Sequence, residues 1–143
     1  MISFVKKEAV LPLRSEALRD NKPAAECIFP GDDELSSFHL ADIQDHEIVC
    51  VATFHQQAHP DFKGNGYQLR GMATAPGYRG RGIGNQLVNF AIVYLRGQSA
   101  DYLWCNARKA AFSFYLGQGF EFISDEFDIP GIGPHRTMYL KVR

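Results

Sequence analysis

The sequence predicts an α/β fold, with a mixed sheet flanked by helices, from three observations. Strand-like segments lie before, between and after two well-separated helical segments. A glycine-rich turn leads from one of these strands into the longer helix. The chain has 143 residues, of which 45% are hydrophobic, so it is long enough to bury a sizeable core. We therefore expect one domain over residues 1–143, with no internal repeat or linker.

The N-terminal half is predicted to hold one helix and a β-hairpin. Residues 10–20 carry apolar positions on one side and predict a short helix, and a polar, proline-containing loop follows over residues 21–33. Residues 37–41 and 47–54 are typical of strands. The dipeptide Asp45-His46 between them predicts a hairpin turn.

The C-terminal half alternates strands and helices. A turn-rich loop over residues 59–66 precedes a predicted strand over residues 67–74. The helix after the glycine turn is expected to end at Gly97, and its apolar stripe holds Ile83, Leu87, Ala91 and Leu95. The remaining predictions are a strand over 101–106, a helix over 109–116, and strands over 120–127 and 136–142 joined by a turn over 128–134.

Composition and charge exclude several classes of protein. The net charge of −1 and the pI of about 6.5 give no electrostatic reason to expect a nucleic acid or an anionic membrane as partner. Three cysteines without CxxC spacing indicate reduced thiols rather than a disulfide framework. The N-terminus lacks the apolar core of a signal peptide, and no apolar run is long enough to span a bilayer. We therefore expect a cytoplasmic protein.

The most informative stretch is Arg79-Gly80-Arg81-Gly82-Ile83-Gly84, at the start of the longer helix. A helix start presents unbonded backbone N–H groups and the positive end of the helix dipole. Glycines let an anion approach the backbone closely, and two arginines add charge. The turn therefore predicts a phosphate- or pyrophosphate-binding site. It fits neither a Walker loop, because Ile83-Gly84 stand where Lys-Ser or Lys-Thr is required, nor the Gly-x-Gly-x-x-Gly dinucleotide fingerprint.

Two blocks of sequence carry a resemblance to a known family. The first has the form Arg-x-x-Gly-x-Gly, from Arg79 to Gly84, and extends back to Met72. The second holds, in order, Asn106, Ala110, Phe114-Tyr115 and Gly119-Phe120. Together the blocks span residues 70–122. In this order and spacing, the chain resembles the GCN5-related N-acetyltransferase (GNAT) superfamily.

The resemblance implies acetyl-CoA as acetyl donor, no metal, and a mostly antiparallel central sheet. The sheet is expected to splay between the strands ending near Thr74 and Asn106. The pantetheine arm would enter this gap and bond to the backbone of Met72, Ala73 and Thr74, while Asn106 would bond the arm or hold a water. The pyrophosphate would lie on the amides of Arg79, Gly80, Arg81, Gly82, Ile83 and Gly84.

The resemblance also implies direct transfer to an amine in a ternary complex, without an acyl intermediate on Cys105. Tyr115 would donate a proton or hydrogen bond to the departing CoA thiolate; its alternative role is that of a packed core residue. The acceptor amine must lose a proton, and His135 in the final hairpin is the first candidate for the base. Asp128, Glu126 and a relay of waters remain alternatives.

Arg70 either faces the acceptor channel or pairs with a carboxylate, and the histidines lack the spacing of a zinc site. The acceptor is expected to be a small-molecule amine or a peptide, in a pocket shaped by residues 20–35, residues 55–66 and the final hairpin. The C-terminal strands are a candidate homodimer surface. The alternative to an enzyme is a non-catalytic acyl-CoA-binding or regulatory module of the same fold.

Overall fold

One eight-stranded sheet organises the computed structural model, which describes residues 1–143. Its strands are β1 (Ile2–Val5), β2 (Phe38–Gln44), β3 (Glu47–Gln56), β4 (Gly66–Thr74), β5 (Tyr102–Arg108), β6 (Glu121–Phe122), β7 (Phe127–Ile129) and β8 (Gly133–Lys141). The helices are α1 (Lys7–Leu18), α2 (Ile83–Gly97) and α3 (Phe112–Gly117). The strand order is β1-β2-β3-β4-β5-β8-β6, with β7 also paired to β8. Only β4 and β5 pair in parallel, so the predicted mixed, mostly antiparallel architecture is confirmed.

The N-terminal elements differ from the prediction at their ends. β1, which the sequence analysis missed, is an edge strand paired with β2. α1 begins at Lys7 and ends at Leu18, because Asp20 and Asn21 adopt left-handed φ angles of 52° and 58° that cannot continue a helix. The predicted hairpin turn is present: Asp45 and His46 have φ angles of 50° and 66°, as a tight two-residue turn requires.

Helices cover both faces of the sheet, which we call the α1 face and the α2 face. The α1 face carries a cluster of seven buried residues: Val10, Leu11, Leu13, Cys27, Ala41, Val51 and Ala73. The α2 face carries 21 buried residues, among them the predicted apolar stripe of α2, and Tyr115 from α3 also belongs to it. No helix is long and apolar enough to cross a membrane.

The sheet opens between β4 and β5. Their pairing is limited to Gly66–Gln68 opposite Tyr102–Trp104. β5 then continues beside β8 to Arg108, two residues beyond the predicted end at Asn106. β4 contains a bulge against β3 in which Gly71 takes a φ of +64°, and this bulge re-aims the last residues of the strand. The expected splay between β4 and β5 is therefore observed.

The C-terminal third departs most from the prediction. The strand expected over 120–127 is two short strands, β6 and β7, because the Ser124 side chain interrupts the ladder and accepts the Thr137 N–H at 2.8 Å. The helix expected over 109–116 is a 3-10 turn, Lys109–Ala111, followed by α3. The final turn covers only residues 130–132, so His135 lies inside β8 rather than beside a long turn.

Candidate active site

The glycine-rich turn opens α2 with unbonded backbone N–H groups. Gly82 is the N-cap residue, with a φ of +78°. The Gln86 N–H is the first to bond back, to the Gly82 carbonyl at 3.1 Å, so the N–H groups of residues 82–85 have no acceptor within the protein. No side chain caps this end, and no acidic residue lies in the first turn. The start of α2 is therefore open to an anion.

Space and positive charge surround this turn. A Cβ atom at Gly77, Gly80 or Gly82 would meet nothing within 4 Å. Arg79 and Arg81 are exposed and belong to no ion pair. The Arg79 Nε donates to the Thr74 carbonyl at 3.1 Å, which holds that side chain beside the end of β4.

Gly84 joins the turn to the opening in the sheet. A Cβ atom here would lie 3.1 Å from both Met72 Cε and Phe114 Cε1, so glycine allows α2 to start this close to β4 and α3. Within β4, Ala73 and Thr74 pair with β3 along one edge and have no partner on β5. The free edge of Met72–Thr74 can bond an extended group as it would an added strand.

Tyr115 lies on the α2 face and is only 5% exposed. Its ring packs against Phe114 and Phe120, with centroid distances of 5.0 and 5.2 Å. Its hydroxyl forms no hydrogen bond within the protein and is not fully enclosed. Burial, together with the neighbouring Cys105 and Cys50 thiols, raises the pKa of Tyr115 well above its ordinary value. The phenol is therefore protonated at neutral pH and can donate a proton.

Cys105 lies in the same cluster and is 2% exposed. Burial raises the pKa of its thiol well above the ordinary value, so the nucleophilic thiolate is scarce at neutral pH. All three cysteines are free and buried.

Asn106 and His135 lie on the α1 face. They alternate along β5 and β8 with Cys105 and Met138, which belong to the α2-face cluster. The exposed Asn106 accepts a hydrogen bond from the Thr137 hydroxyl at 2.8 Å. His135 is 4% exposed, and its Nδ1 bonds the Gly133 carbonyl oxygen at 2.8 Å, so Nδ1 carries a proton. The two predicted catalytic residues, Tyr115 and His135, thus lie on opposite faces of the sheet.

An ionic network that no sequence pattern predicted is buried on the α1 face. Arg14, from α1, is fully buried. It donates to the Asp32 carboxylate at 2.8 Å, the Cys27 carbonyl at 2.7 Å and the Thr53 hydroxyl at 2.7 Å. The one signal in the sequence is that Arg14 follows Val10 by four residues, which places a charged residue on the apolar side of α1.

Two histidines complete the network. His55 bonds the second Asp32 oxygen at 2.8 Å, and His39 bonds the Thr53 hydroxyl at 2.7 Å and the Asp32 carbonyl at 3.1 Å. Burial raises the pKa of Asp32, but the hydrogen bonds from His55 and Arg14 outweigh it and hold that pKa well below the usual range. Burial lowers the pKa of His39. The network therefore contains an ionised carboxylate and a neutral imidazole at pH 7.

Arg70 does not pair with a carboxylate. Its guanidinium lies 4.2 Å from the centroid of the Phe29 ring, which the Arg14 guanidinium also contacts at 3.9 Å. Both Asp32 oxygens are already bonded, to Arg14 and His55. The alternative of a carboxylate partner for Arg70 is therefore wrong, and its position facing the acceptor channel stays a prediction.

Comparisons with known proteins identify the family. Residues 7–120 match the model of the Acetyltransferase (GNAT) family. The chain is 33% identical over 143 residues to YitI of Bacillus subtilis (strain 168), described as an uncharacterized N-acetyltransferase; the match covers 99% of this chain and 96% of YitI.

Solved structures share the fold. An N-acetyltransferase from Staphylococcus aureus Mu50 matches with a TM-score of 0.77 at 16% identity, over 100% of this chain and 98% of that one. An aminoglycoside 6'-N-acetyltransferase in complex with coenzyme A matches with a TM-score of 0.73 at 14% identity, over 100% and 97%. The expectation drawn from the two motif blocks is confirmed: the chain belongs to the GNAT family of acetyltransferases.

Proposed function

We propose that this acetyltransferase transfers the acetyl group of acetyl-CoA directly to an amine of a small molecule or peptide, in a ternary complex. One observation carries the proposal. Pairing between β4 and β5 stops at Gln68 and Trp104, and the unbonded N–H groups of residues 82–85 lie beside the opening that results. This combination suits an elongated ligand with a strand-like arm and a pyrophosphate group.

The chain's own backbone would hold this co-substrate, which supplies the acetyl group as an activated thioester. We assign the pyrophosphate to the amides of residues 79–84 and the charges of Arg79 and Arg81. We assign the pantetheine arm to the free edge of Met72, Ala73 and Thr74. Asn106, exposed at the β5 side of the opening, is the remaining proposed contact.

Acid and base would act from opposite faces of the sheet. Tyr115, kept protonated by its raised pKa, would donate a proton to the departing sulfur. His135 is the proposed base: because its Nδ1 proton is held by the Gly133 carbonyl, its Nε2 lone pair can take a proton from the acceptor amine. The amine would then enter from the α1 face and meet the thioester within the opening.

The remaining proposals concern organisation. One sheet with a hydrophobic cluster on each face supports a single domain over residues 1–143. Free, buried cysteines favour a reducing compartment and hence the cytoplasm. The net charge of −1 favours neither a nucleic acid nor a membrane as partner.

The strands β6–β8 remain the proposed surface for a homodimer.

Calorimetric titration with acetyl-CoA tests the co-substrate site, with Gly82→Glu and Gly97→Glu as a matched pair. Neither position has a neighbour within 4 Å of an added Cβ, but only Gly82 lies in the anion-binding turn. We expect the parent and Gly97→Glu to bind. Affinity in Gly82→Glu should fall about 100-fold, because like charges repel at the pyrophosphate site and because a side chain strains the left-handed backbone of Gly82, whose φ is +78°.

Absence of binding by the folded parent would refute the proposed function. Equal weakening by both substitutions would refute the assignment of the pyrophosphate to the turn. Binding without CoA release across a panel of amines would instead favour the non-catalytic acyl-CoA-binding module.

A further inference from the structure

A small basic cavity lies on the α1 face at the open end of the sheet. Its volume is about 170 Å³, and it is lined by the end of α1, the end of β5 and the turn between β7 and β8. Arg19, Lys22 and Arg108 contribute its basic side chains, and Asp20 is its one acidic residue. Two segments far apart in sequence, residues 19–22 and the end of β5, thus bring positive charge to one place.

The charges in this cavity are not neutralised within the protein. None of these four side chains belongs to an ion pair. Arg108 donates only to the Leu18 carbonyl, and Arg19 only to the Glu26 carbonyl, both at 3.4 Å, which is long for a hydrogen bond. Since a guanidinium has five N–H donors, most donors of both arginines are available.

Arg19 supplies a second observation. Its Nε is buried and has no hydrogen-bond partner, and Arg14 Nε is the one other side-chain nitrogen or oxygen in this condition. A buried N–H without an acceptor is costly, and no ion pair of the protein compensates this guanidinium, whose Nη groups a ligand in the cavity would bond. Burial lowers the pKa of Arg70, and Asp32 opposes this shift. The charges of Arg14 and Arg19 add to the lowering, so Arg19 lies near a further cation that has no ion-pair partner.

The cavity adjoins the proposed site of amine deprotonation. Arg108 is the cross-strand partner of His135, and both lie on the α1 face. A ligand group held by Arg108 would therefore leave the rest of the molecule within reach of His135. The volume suits one anionic group with its nearest carbons rather than a whole large acceptor.

We infer that the acceptor amine carries an anionic group, a carboxylate or a phosphate, which Arg19, Lys22 and Arg108 bind in this cavity. The inference rests on the proposed function, which it narrows to a substrate class. Guanidinium groups bind both anions through paired hydrogen bonds. Polycationic acceptors such as polyamines and aminoglycosides would meet repulsion at the same place.

Matched amines test the inference by turnover. Acetylation is followed as CoA release with glycine against glycinamide, O-phosphoethanolamine against ethanolamine, and spermidine. We expect the anionic member of at least one pair to have a kcat/KM about tenfold or more above its neutral partner and above spermidine. Arg108→Gln and Arg19→Gln should each remove most of that preference. Arg143→Gln, at the exposed C-terminus, should preserve it.

Binding provides a readout independent of turnover. In CoA-saturated protein, where the glycine turn is occupied, the Nε–H signals of Arg19 and Arg108 are followed by NMR during titration with each amine. We expect an anionic probe to shift both signals and its neutral partner to leave them unchanged. The Gln variants assign the two signals.

The outcomes separate the inference from the function on which it rests. If the parent does not bind CoA, the proposed function has failed. If it binds CoA but neither anionic probe shifts these signals, the inference is wrong, whatever the turnover. Equal or faster acetylation of spermidine or of the neutral partners also overturns it. A response to glycine identifies a carboxylate, and a response to O-phosphoethanolamine alone identifies a phosphate.

Discussion

The opening between β4 and β5 has an α1 side and an α2 side, which lie on the α1 face and the α2 face of the sheet. The two sides are built in different ways. On the α2 side, the proposed acetyl-CoA site is mostly backbone: unbonded N–H groups at residues 82–85 and the free edge of Met72–Thr74. On the α1 side, the site consists of charged side chains from distant segments of the chain. These are Arg14, Asp32, Arg70 and Arg108.

The difference shows which half of the proposed site can change its ligand through a few substitutions. A site made of backbone needs glycine and one short contiguous segment, and it accepts the same group whatever the surrounding side chains. A site made of side chains depends on partners for each charge, so changing a few residues changes what it binds.

Arg14→Met should lower the free energy of unfolding by about 3–5 kcal/mol, because removing the cation leaves the buried Asp32 carboxylate with His55 as its one remaining side-chain partner. Urea unfolding followed by circular dichroism measures the change. Arg143→Met, at an exposed position, should change stability by less than about 0.5 kcal/mol.

The contrast between the two sides also predicts that folded Arg14→Met binds acetyl-CoA as the parent does. A large loss of stability together with a large loss of acetyl-CoA affinity would mean that the α1-face network supports both sides. The two sides of the opening could then not be treated as separate.

Tyr115→Phe should lower kcat about 100-fold without weakening acetyl-CoA binding, since it removes the proposed proton donor and keeps the ring that packs against Phe114 and Phe120. Steady-state kinetics and calorimetry measure the two quantities. Tyr139→Phe removes a hydroxyl from the α1 face and serves as the matched control. An unchanged kcat in Tyr115→Phe would mean that Tyr115 is a packed core residue and not the proton donor.

The sequence was informative about the α2 side because that side is encoded locally. The glycine turn and the apolar stripe of α2 occupy one continuous stretch, and both are present in the structure. The splay was expected from family resemblance, and residues 66–74 and 102–108 form it.

The α1 side was hidden because its contacts join residues distant in the chain. Arg14 and Thr53 lie 39 residues apart, and neither is part of a recognisable motif. The break between β6 and β7 was also missed, because it depends on the Ser124 side chain replacing a backbone partner of Thr137. His135 was placed beside the turn because the ladder of β8 starts three residues earlier than its apolar pattern suggests.

Gly71→Ala should affect both sides, because the β4 bulge lies between them. Gly71 has a φ of +64°, and a Cβ there would lie 2.9 Å from Arg14 Nε and 3.2 Å from the Phe29 ring. Backbone strain and displacement of Arg14 should together lower the free energy of unfolding by about 1–3 kcal/mol. Acetyl-CoA binding should weaken as the bulge that re-aims Met72–Thr74 is distorted. Gly117→Ala, where an added Cβ meets nothing, should be neutral, and an equal effect of both would refute this account of the bulge.

The smallest expected effect is a pH dependence of stability that originates on the α1 side. The pKa of His39 is lowered in the folded state, so the unfolded chain binds a proton more readily as the pH falls through its ordinary value of about 6.5. The stability contributed by neutral His39 is therefore complete above that pH and is lost as the pH decreases. Asp32 adds a second loss below about pH 4, because its folded pKa is also lowered.

His39→Asn should flatten the slope of unfolding free energy against pH between about 5 and 7, whereas His46→Asn, in the exposed hairpin turn, should leave it unchanged. An unaltered slope in His39→Asn would mean that this imidazole is not held neutral by burial. The α2 side should contribute nothing in this range, since burial raises the pKa of Cys50 to about 11 and also raises those of Cys105 and Tyr115. Acidification to pH 5 should thus lower the stability contributed by the α1 side, where we propose that the acceptor binds. The buried thiols and the phenol around the proposed acetyl-CoA site should stay protonated over the same range.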